Sequence, residues 1–451
     1  MSTSTHASST DSRPAAARPE APLVLTTEPP RPLGFWDQFA TWANLGISLF
    51  GPLTGALVVA TTGSVASALL AVVVGCLLGG ALLACSAVFG ARTGAPAMVA
   101  LRGLFGRRGS VAPTLLNVAQ NVGWATMEII VISTAASLVL GDAWRVPAAV
   151  VAGVVATAMA LRPLGSVRLL RKVMVWVVLA ASVLLFVQVL LRPTQPLDQS
   201  GVLGFWPAVD VAVAGVVSFA PLAADYSRHS RSARSAFWGA GLGYGLAAVA
   251  YYTLGVLAVS RLTGDDLIAA LIALPAGWIA LMVLMVDEVD EAFANIYSTT
   301  MSVQNLFPRV DRRWVALGVG ALATTAACLL DLSRYQSFLY LIGSVFVPLF
   351  AVAAADFFGV SGKVWDVSAH ARLRLVPVLA WVCGFVTYQL IAPGTVPYWS
   401  DAWAWLADLV GFSAPSWLGS SVASIVVSVV AMLVLGRLAA RTGRGAVAPR
   451  G

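Results

Sequence analysis

Twelve apolar runs, each close to the length of a bilayer crossing and bounded by Gly, Pro or charge, leave this chain one class of fold. They lie near residues 36–60, 64–89, 113–139, 146–161, 172–191, 207–225, 236–260, 275–305, 314–330, 335–358, 374–392 and 417–436. A hydrocarbon core takes roughly 20 apolar residues per helix, and inside it a helix satisfies every backbone polar group within its own segment. The expectation is an all-α integral membrane protein of about twelve transmembrane helices. Only 11% of the 451 residues are charged, against about a quarter in soluble proteins. The spans and their loops fill residues 34–438, which excludes an appended catalytic domain of ordinary size. Residues 1–33, rich in Ser, Thr, Ala and Pro, read as a disordered cytoplasmic tail without the apolar core of a signal peptide, and 439–451 as a second tail.

The net charge of +7 serves orientation before anything else. With the N-terminal tail placed inside, 24 of the 28 basic residues fall in inner segments, and only Arg145, Arg192, Arg261 and Arg334 fall outside. This bias puts both termini in the cytoplasm and argues against a nucleic-acid partner. Arginine outnumbers lysine 26 to 2 amid abundant alanine, which suggests a GC-rich bacterial genome and hence a bacterial inner membrane. Cys76, Cys85, Cys328 and Cys383 lie in apolar stretches without metal-ligand spacing, so neither a disulfide nor a zinc site is expected. His6, His229 and His370 are all outside the spans, which removes histidine chemistry from the membrane interior.

Two spans carry matched interruptions. Span 1 reads Asn44-Leu45-Gly46-Ile47-Ser48-Leu49-Phe50-Gly51-Pro52-Leu53, and span 6 reads Gly215-Val216-Val217-Ser218-Phe219-Ala220-Pro221-Leu222. Both place Ser, an aromatic residue and Pro-Leu at similar depth, five spans apart. Paired Gly/Pro breaks are the sequence pointer to inverted repeats whose opening helices unwind at the bilayer midplane and bind substrate or ion with the freed backbone.

Polar residues inside spans are costly and so are functional candidates. In span 3, Gln120, Trp124 and Glu128 recur every four residues and share one helical face. Trp124 offers a stacking surface for a small flat heterocycle, and Gln120 and Glu128 can pair with ring NH, amine or carbonyl groups. Span 8 packs Asp287, Glu288, Asp290 and Glu291 into five residues, which at 100° per residue cannot all face one cavity. One reading places this cluster in the inner loop. The other runs the helix on through Asn295, so that Asp287, Glu291 and Asn295 form a stripe with Asp290 beside it. Such a stripe could hold a cation or relay a proton, since crowded carboxylates favour protonation. Asp225 and Asp356 close spans 6 and 10, where capping or pairing with loop arginines is expected, and Asp210 reads as interfacial.

Several stretches together resemble the nucleobase:cation symporter-1 family, the cytosine, purine, hydantoin and thiamine-precursor permeases, from about Phe35 to residue 360. They are Trp42-Ala43-Asn44-Leu45-Gly46-Ile47-Ser48 leading to Thr54-Gly55-Ala56-Leu57, Gln120 with Gly123-Trp124, Ala224-Asp225-Tyr226-Ser227-Arg228, Asn295-Ile296-Tyr297-Ser298, and Pro348 with Ala355-Asp356-Phe357-Phe358. The resemblance implies a leucine-transporter-like fold: two inverted five-helix repeats, here 34–192 and 205–358, plus two extra helices in 374–438. It implies that Trp124 stacks on the substrate ring, that Glu128 and Asn295 bind it, and that a second aromatic on span 6 does likewise, for which Phe219 is the candidate. Asn44, Ser48 and Ser218 belong to the broken stretches that would border it. The family's sodium site uses span 1 carbonyls, here at Gly46, and span 8 hydroxyls, where this chain has Val289 and Asp290. A carboxylate there could bind Na+ directly or replace it with H+, so Asp290, Asp287, Glu291 and Gly46 are the coupling candidates and the ion stays open.

The expected function is a cation-coupled symporter, not an enzyme and without a cofactor, that imports a nucleobase or related pyrimidine. Glu128 favours rings with adjacent donors, so cytosine or hydroxymethylpyrimidine is preferred. A purine or hydantoin permease, an amino-acid or amine permease of the same fold, an intramembrane enzyme using the span 8 carboxylates and a non-transporting receptor are the alternatives. Partners are the small heterocycle and the lipid bilayer. A monomer is the simplest state, and the sequence leaves it open.

Overall fold

The computed structural model describes residues 30–161, 168–200, 202–264, 266–307 and 309–441, and these are helical throughout except for loops and one isolated bridge between Leu33 and Ser230. Each of the twelve apolar runs coincides with a helix or a broken pair of helices. Span 1 is α1 (Phe35–Leu45) and α2 (Phe50–Thr62), bent by 66° at the break. Span 2 is α3 (Val65–Thr93), and a short α4 (Ala97–Gly109) precedes span 3, α5 (Val111–Leu140). Spans 4 and 5 are α6 (Arg145–Leu161) and α7 (Arg168–Leu190). Span 6 is α8 (Phe205–Val217) and α9 (Ala220–Ser227), and span 7 is α10 (Ala233–Val259). After the one-and-a-half-turn α11 (Leu267–Ile272) come span 8, α12 (Gly277–Leu306), span 9, α13 (Arg312–Leu329), and span 10, α14 (Tyr335–Gly359). Span 11 is α15 (Leu375–Ile391), α16 (Trp399–Leu409) follows, and span 12 is α17 (Ser420–Arg441).

Apolar length explains most of this order. Among the described residues seven spans, with Phe205–Ser227 of span 6 taken whole, are long and apolar enough to cross a membrane, eight with the bent pair. The other four fall short for identifiable reasons: the apolar stretch of α7 is Trp176–Leu190, α12 carries the carboxylates, α13 opens on Arg312 and Arg313, and α15 has 17 residues. The short helices α4, α11 and α16 lie in segments read from sequence as loops. The first of them is fixed by tertiary bonds: the Ala97 amide at its start donates to Asp225 Oδ1 at 2.8 Å, and Arg102 donates to the Asn305 carbonyl at 3.0 Å.

Small residues set the closest approaches, as expected where dispersion and backbone contact replace hydrophobic driving force. A Cβ added to Gly55 would lie 2.0 Å from the Tyr252 carbonyl oxygen, and one on Gly255 would lie 2.0 Å from that of Pro52. Only glycine lets α2 and α10 pack backbone to backbone there. At the far end of α14, Arg374 grips Asp356 with two nitrogens at 2.6 and 3.0 Å while Trp365 Nε1 donates to the same carboxylate at 2.7 Å, the arginine pairing expected of that position. Asp210, near the start of α8, is buried in the protein and accepts from the Ser420 and Ser421 amides at 2.9 and 2.8 Å, so it caps α17.

Candidate functional site

The break in span 1 follows from Pro52, which has no N–H to donate and whose ring crowds the carbonyl four residues back. Residues 46–49 leave the helix, and the first amides of α2 lose their intrahelical partners. A side chain from span 8 takes them. Glu288 Oε1 accepts from Ser48 Oγ at 2.9 Å and from the Leu49 amide at 2.5 Å. A carboxylate at a helix N-terminus is well placed for both the free amides and the helix dipole. In span 6 the chain leaves the helix at Ser218 and Phe219 and resumes with Pro221 in the first turn of α9. Gln120 Nε2 donates to the Ser218 carbonyl at 2.8 Å and Ser86 Oγ to that of Ala220 at 2.7 Å, so side chains satisfy this break too.

Between the breaks lies a cavity of about 20 Å³. Gly46, Ser48, Phe50, Gly51 and Thr54 border it from span 1, Gly215 and Phe219 from span 6, and Trp124 from span 3. Tyr244, Ala248 and Tyr252 of α10, Glu291 of α12 and Tyr335 of α14 complete it. Its walls are rings. Trp124 meets Phe50 edge-on with centroids 5.3 Å apart and Tyr335 at 6.1 Å, and lies 6.3 Å from Phe219, which packs on Tyr244 at 4.8 Å. The Thr54 and Tyr335 hydroxyls are bonded at 2.6 Å.

A polar layer adjoins the rings. Asn295 Nδ2 donates to Glu128 Oε1 at 2.9 Å and to the Glu291 carbonyl at 3.2 Å, linking spans 3 and 8. Glu128, Glu288 and Glu291 are 0%, 1% and 4% exposed, so all three carboxylates are removed from solvent. One oxygen of each (Glu128 Oε2, Glu288 Oε2, Glu291 Oε1) has no hydrogen-bond partner among the described residues. The helices α1, α2, α5, α8, α9, α12 and α14 contain no Lys, Arg or His, so no base from them balances this charge.

The predicted residues separate into groups. Gly46, Ser48, Trp124, Phe219 and Glu291 border the cavity. Gln120, Ser218, Glu128 and Asn295 are buried in the polar layer around it. Asn44 stays half-buried and contributes its backbone carbonyl, which accepts from Ile47, rather than a side chain. The open placement of the span 8 cluster resolves in favour of the helix: α12 begins at Gly277, so residues 287–291 lie in its middle third. Asp287 is buried but does not border the cavity, and Asp290 is half-buried and does not border it either. Of the proposed sodium pair, Gly46 borders the cavity and Asp290 does not, because at 100° per residue the helix face that presents Glu288 and Glu291 turns Asp290 aside. Among the described residues no three His, Cys, Asp or Glu side chains converge as metal ligands.

Sequence reasoning missed Glu288, excluded by the four-residue stripe although it sat in the same cluster. It also missed the ring of Phe50, Tyr244, Tyr252 and Tyr335. Three of these are tyrosines within apolar spans, where a phenol needs a polar partner, and that was the available signal.

A larger cavity, about 450 Å³, lies elsewhere, between α5, α14, α15 and α16. Leu116, Phe338, Leu341, Trp381, Val382 and Phe385 line it, and Gln120 is the one amide among carbon-rich neighbours. It offers no convergent polar groups to orient a heterocycle, so the smaller cavity at the breaks is the functional candidate despite its size.

Solved transporters share the fold. Mhp1, a nucleobase-cation-symport-1 family transporter solved in a closed conformation with bromovinylhydantoin bound, superposes with a TM-score of 0.68 at 17% identity, covering 94% of this chain and 95% of its own. MhsT in complex with L-phenylalanine gives 0.52 at 15% identity over 89% and 98% of the two chains. A manganese transporter from Eremococcus coleocola gives 0.53 at 14% identity over 93% and 98%. The chain thus has the leucine-transporter type of fold. No curated protein sequence matches it at a significant level. A family model described as permease for cytosine/purines, uracil, thiamine and allantoin matches residues 27–374. The chain, a multi-pass membrane transporter and not an enzyme, belongs to that permease family.

Proposed function

We propose that the protein imports a small heterocycle rich in N–H donors, with cytosine or hydroxymethylpyrimidine preferred, by cation-coupled symport. The observation that carries this reading is the composition of the site: Trp124, Phe50, Phe219 and Tyr335 supply flat apolar walls, while Glu128 and Glu291 supply acceptors with no basic residue beside them. Carboxylates reward a ring that presents an exocyclic amine, and leave a ring edge of carbonyls facing oxygen. This favours an aminopyrimidine over a hydantoin or an oxopurine. It also disfavours an amino acid, whose carboxylate would compete with Glu288 for the Leu49 amide.

The cavity, about 20 Å³ of space for the centre of a water molecule, holds little more than one water, which needs about 10–15 Å³ of such space. Admitting a ring requires Trp124, Phe219 and Tyr335 to part, which suits alternating access around a midplane site. In this reading Trp124 stacks on the ring, Glu128, held by Asn295, accepts from its amine edge, and Gln120 holds span 6 at Ser218. We assign the two repeats to 34–192 and 205–358 and the extra helices to 374–438, on the strength of the two breaks. The arginine bias supports cytoplasmic termini in a bacterial inner membrane.

Radiolabelled uptake into proteoliposomes tests the reading with cytosine, hydroxymethylpyrimidine, adenine, a hydantoin and leucine in competition. Aminopyrimidines are expected to compete best. Competition by leucine and by no heterocycle would overturn the substrate class.

A further inference from the structure

We propose that the coupling ion is a proton and that Glu288 carries it, joining the charge state of span 8 to the broken helix of span 1. This rests on the symporter reading above and goes beyond it by naming the ion and its carrier.

Three observations support the inference. The first is what the break presents to Glu288. A sodium ion needs oxygen lone pairs, but the Ser48 hydroxyl and the Leu49 amide both turn hydrogens toward this position and donate to Glu288 Oε1. Hydrogen donors suit a carboxylate and repel a metal cation.

The second is the surroundings. The titratable groups that interact with the cluster are acidic or neutral: Glu128 on α5, Tyr244, Tyr251 and Tyr252 on α10, Tyr335 on α14, and Asp287, Asp290 and Glu291 on α12 itself, whereas the bases of the helices around it stand at or near helix starts (Arg145 of α6, Arg168, Arg171 and Lys172 of α7, Arg234 of α10, Arg312 and Arg313 of α13) or, as Arg102 of α4, bond to the Asn305 carbonyl near the end of α12. Three buried carboxylates with no base to balance them cannot all stay ionised in a medium of low polarity. A proton must reside in the cluster, and its gain or loss is the least costly change of charge available there. Glu288 Oε2, which has no partner among the described residues, is the atom on which it would sit.

The third is mechanical. A hydrogen bond to an ionised acceptor is roughly twice as strong as one to a neutral acceptor. The bonds from Ser48 and Leu49 tie span 1 to span 8, two helices that belong to different moving parts in alternating access. Ionised Glu288 holds the start of α2 firmly, and protonated Glu288 holds it weakly. A proton taken from outer water onto Oε2 would release span 1 to rearrange around substrate. Loss of that proton to cytoplasmic water would restore the tie, moving one proton inward with each substrate.

Two measurements test this. In proteoliposomes, wild-type protein is expected to concentrate cytosine under an acid-outside pH gradient without sodium, and a sodium gradient at equal pH is expected to leave the internal level at equilibrium. E288Q should lose concentrative uptake and bring cytosine only to equilibrium. S48A, which removes one donor and keeps the carboxylate, should remain proton-driven with a shifted pH profile. Sodium-driven accumulation by the wild type, or gradient-driven accumulation by E288Q at the wild-type level, would overturn the proposal.

The second measurement needs no substrate. Hydrogen exchange at the Leu49 amide, corrected for the intrinsic pH effect, should lose protection on acidification in the wild type and stay constant with pH in E288Q. Protection independent of pH in the wild type would overturn the proposal by itself. If that protection does depend on pH and no heterocycle is transported under either gradient, the substrate reading falls and the proton carrier stands.

Discussion

Replacing Trp124 with alanine separates its two tasks, packing and stacking. The indole is 4% exposed and lies within 6.3 Å of the rings of Phe50, Phe219, Tyr335 and Phe338, so its removal deletes contacts on four sides. Truncating a buried aromatic costs roughly 3–5 kcal/mol of stability where neighbours cannot collapse. Stacking of a base on an aromatic side chain contributes about 1–3 kcal/mol, which at about 1.4 kcal/mol per tenfold corresponds to roughly 5- to 150-fold in Kd. The two effects are read apart by thermal melting in detergent and by equilibrium binding of labelled cytosine on the fraction that remains folded. Trp124→Phe, which keeps a ring, should fall between wild type and alanine in affinity. Trp176→Ala, on a lipid-facing tryptophan that is 71% exposed, should change neither quantity. An affinity for Trp124→Ala within twofold of wild type, with folding intact, would refute the stacking role.

Other expectations follow from the same geometry. Glu128→Gln keeps the acceptor for Asn295 but sets an amide NH2 where Glu128 Oε2 has no partner. Cytosine affinity should fall by about tenfold or more, since a charge-assisted bond is worth roughly 1.5–3 kcal/mol, while rings with carbonyl edges gain in competition assays; a uniform loss across both classes would contradict this. Asp356→Asn breaks the bidentate pair with Arg374 and should cost roughly 3–5 kcal/mol, seen as a lower melting temperature, and an unchanged melting temperature would contradict it. Burial holds His229 below its ordinary value of 6.5, with the Arg228 charge acting in the same direction and the Pro30 carbonyl opposing. Because an undocked ring protonates more readily, docking of residues 30–33 is fully supported above the ordinary value and weakens as pH falls through and below it. Exchange at the Leu33 amide, which donates to the His229 carbonyl, should report this, and His229→Gln should remove the pH dependence.

The sequence made most of the scaffold legible because apolar length and arginine placement are properties of single segments. All twelve runs became helices; span 1 bends by 66° just before Pro52, and span 6 is interrupted more gently, by the turn residues Ser218 and Phe219 just before Pro221. The short α4 escaped because its stability is tertiary, resting on Asp225 and Asn305 far along the chain. Within the site, the Gln120, Trp124 and Glu128 face was readable from four-residue spacing. The choice among the span 8 carboxylates was not, because spacing gives the faces of a helix and not which face meets the break. Glu288 and not Asp290 reaches the Leu49 amide, a fact of helix packing that periodicity leaves open. Tyr244, Tyr252 and Tyr335 come from helices distant in sequence and meet only in the fold.

The most direct test of the central claim is an experimental structure with cytosine bound. The account predicts density for the ring between the two breaks, stacked on Trp124 with its amine edge toward Glu128. Density in the apolar groove lined by Phe338, Trp381 and Phe385, with the cavity at the breaks still closed, would contradict it.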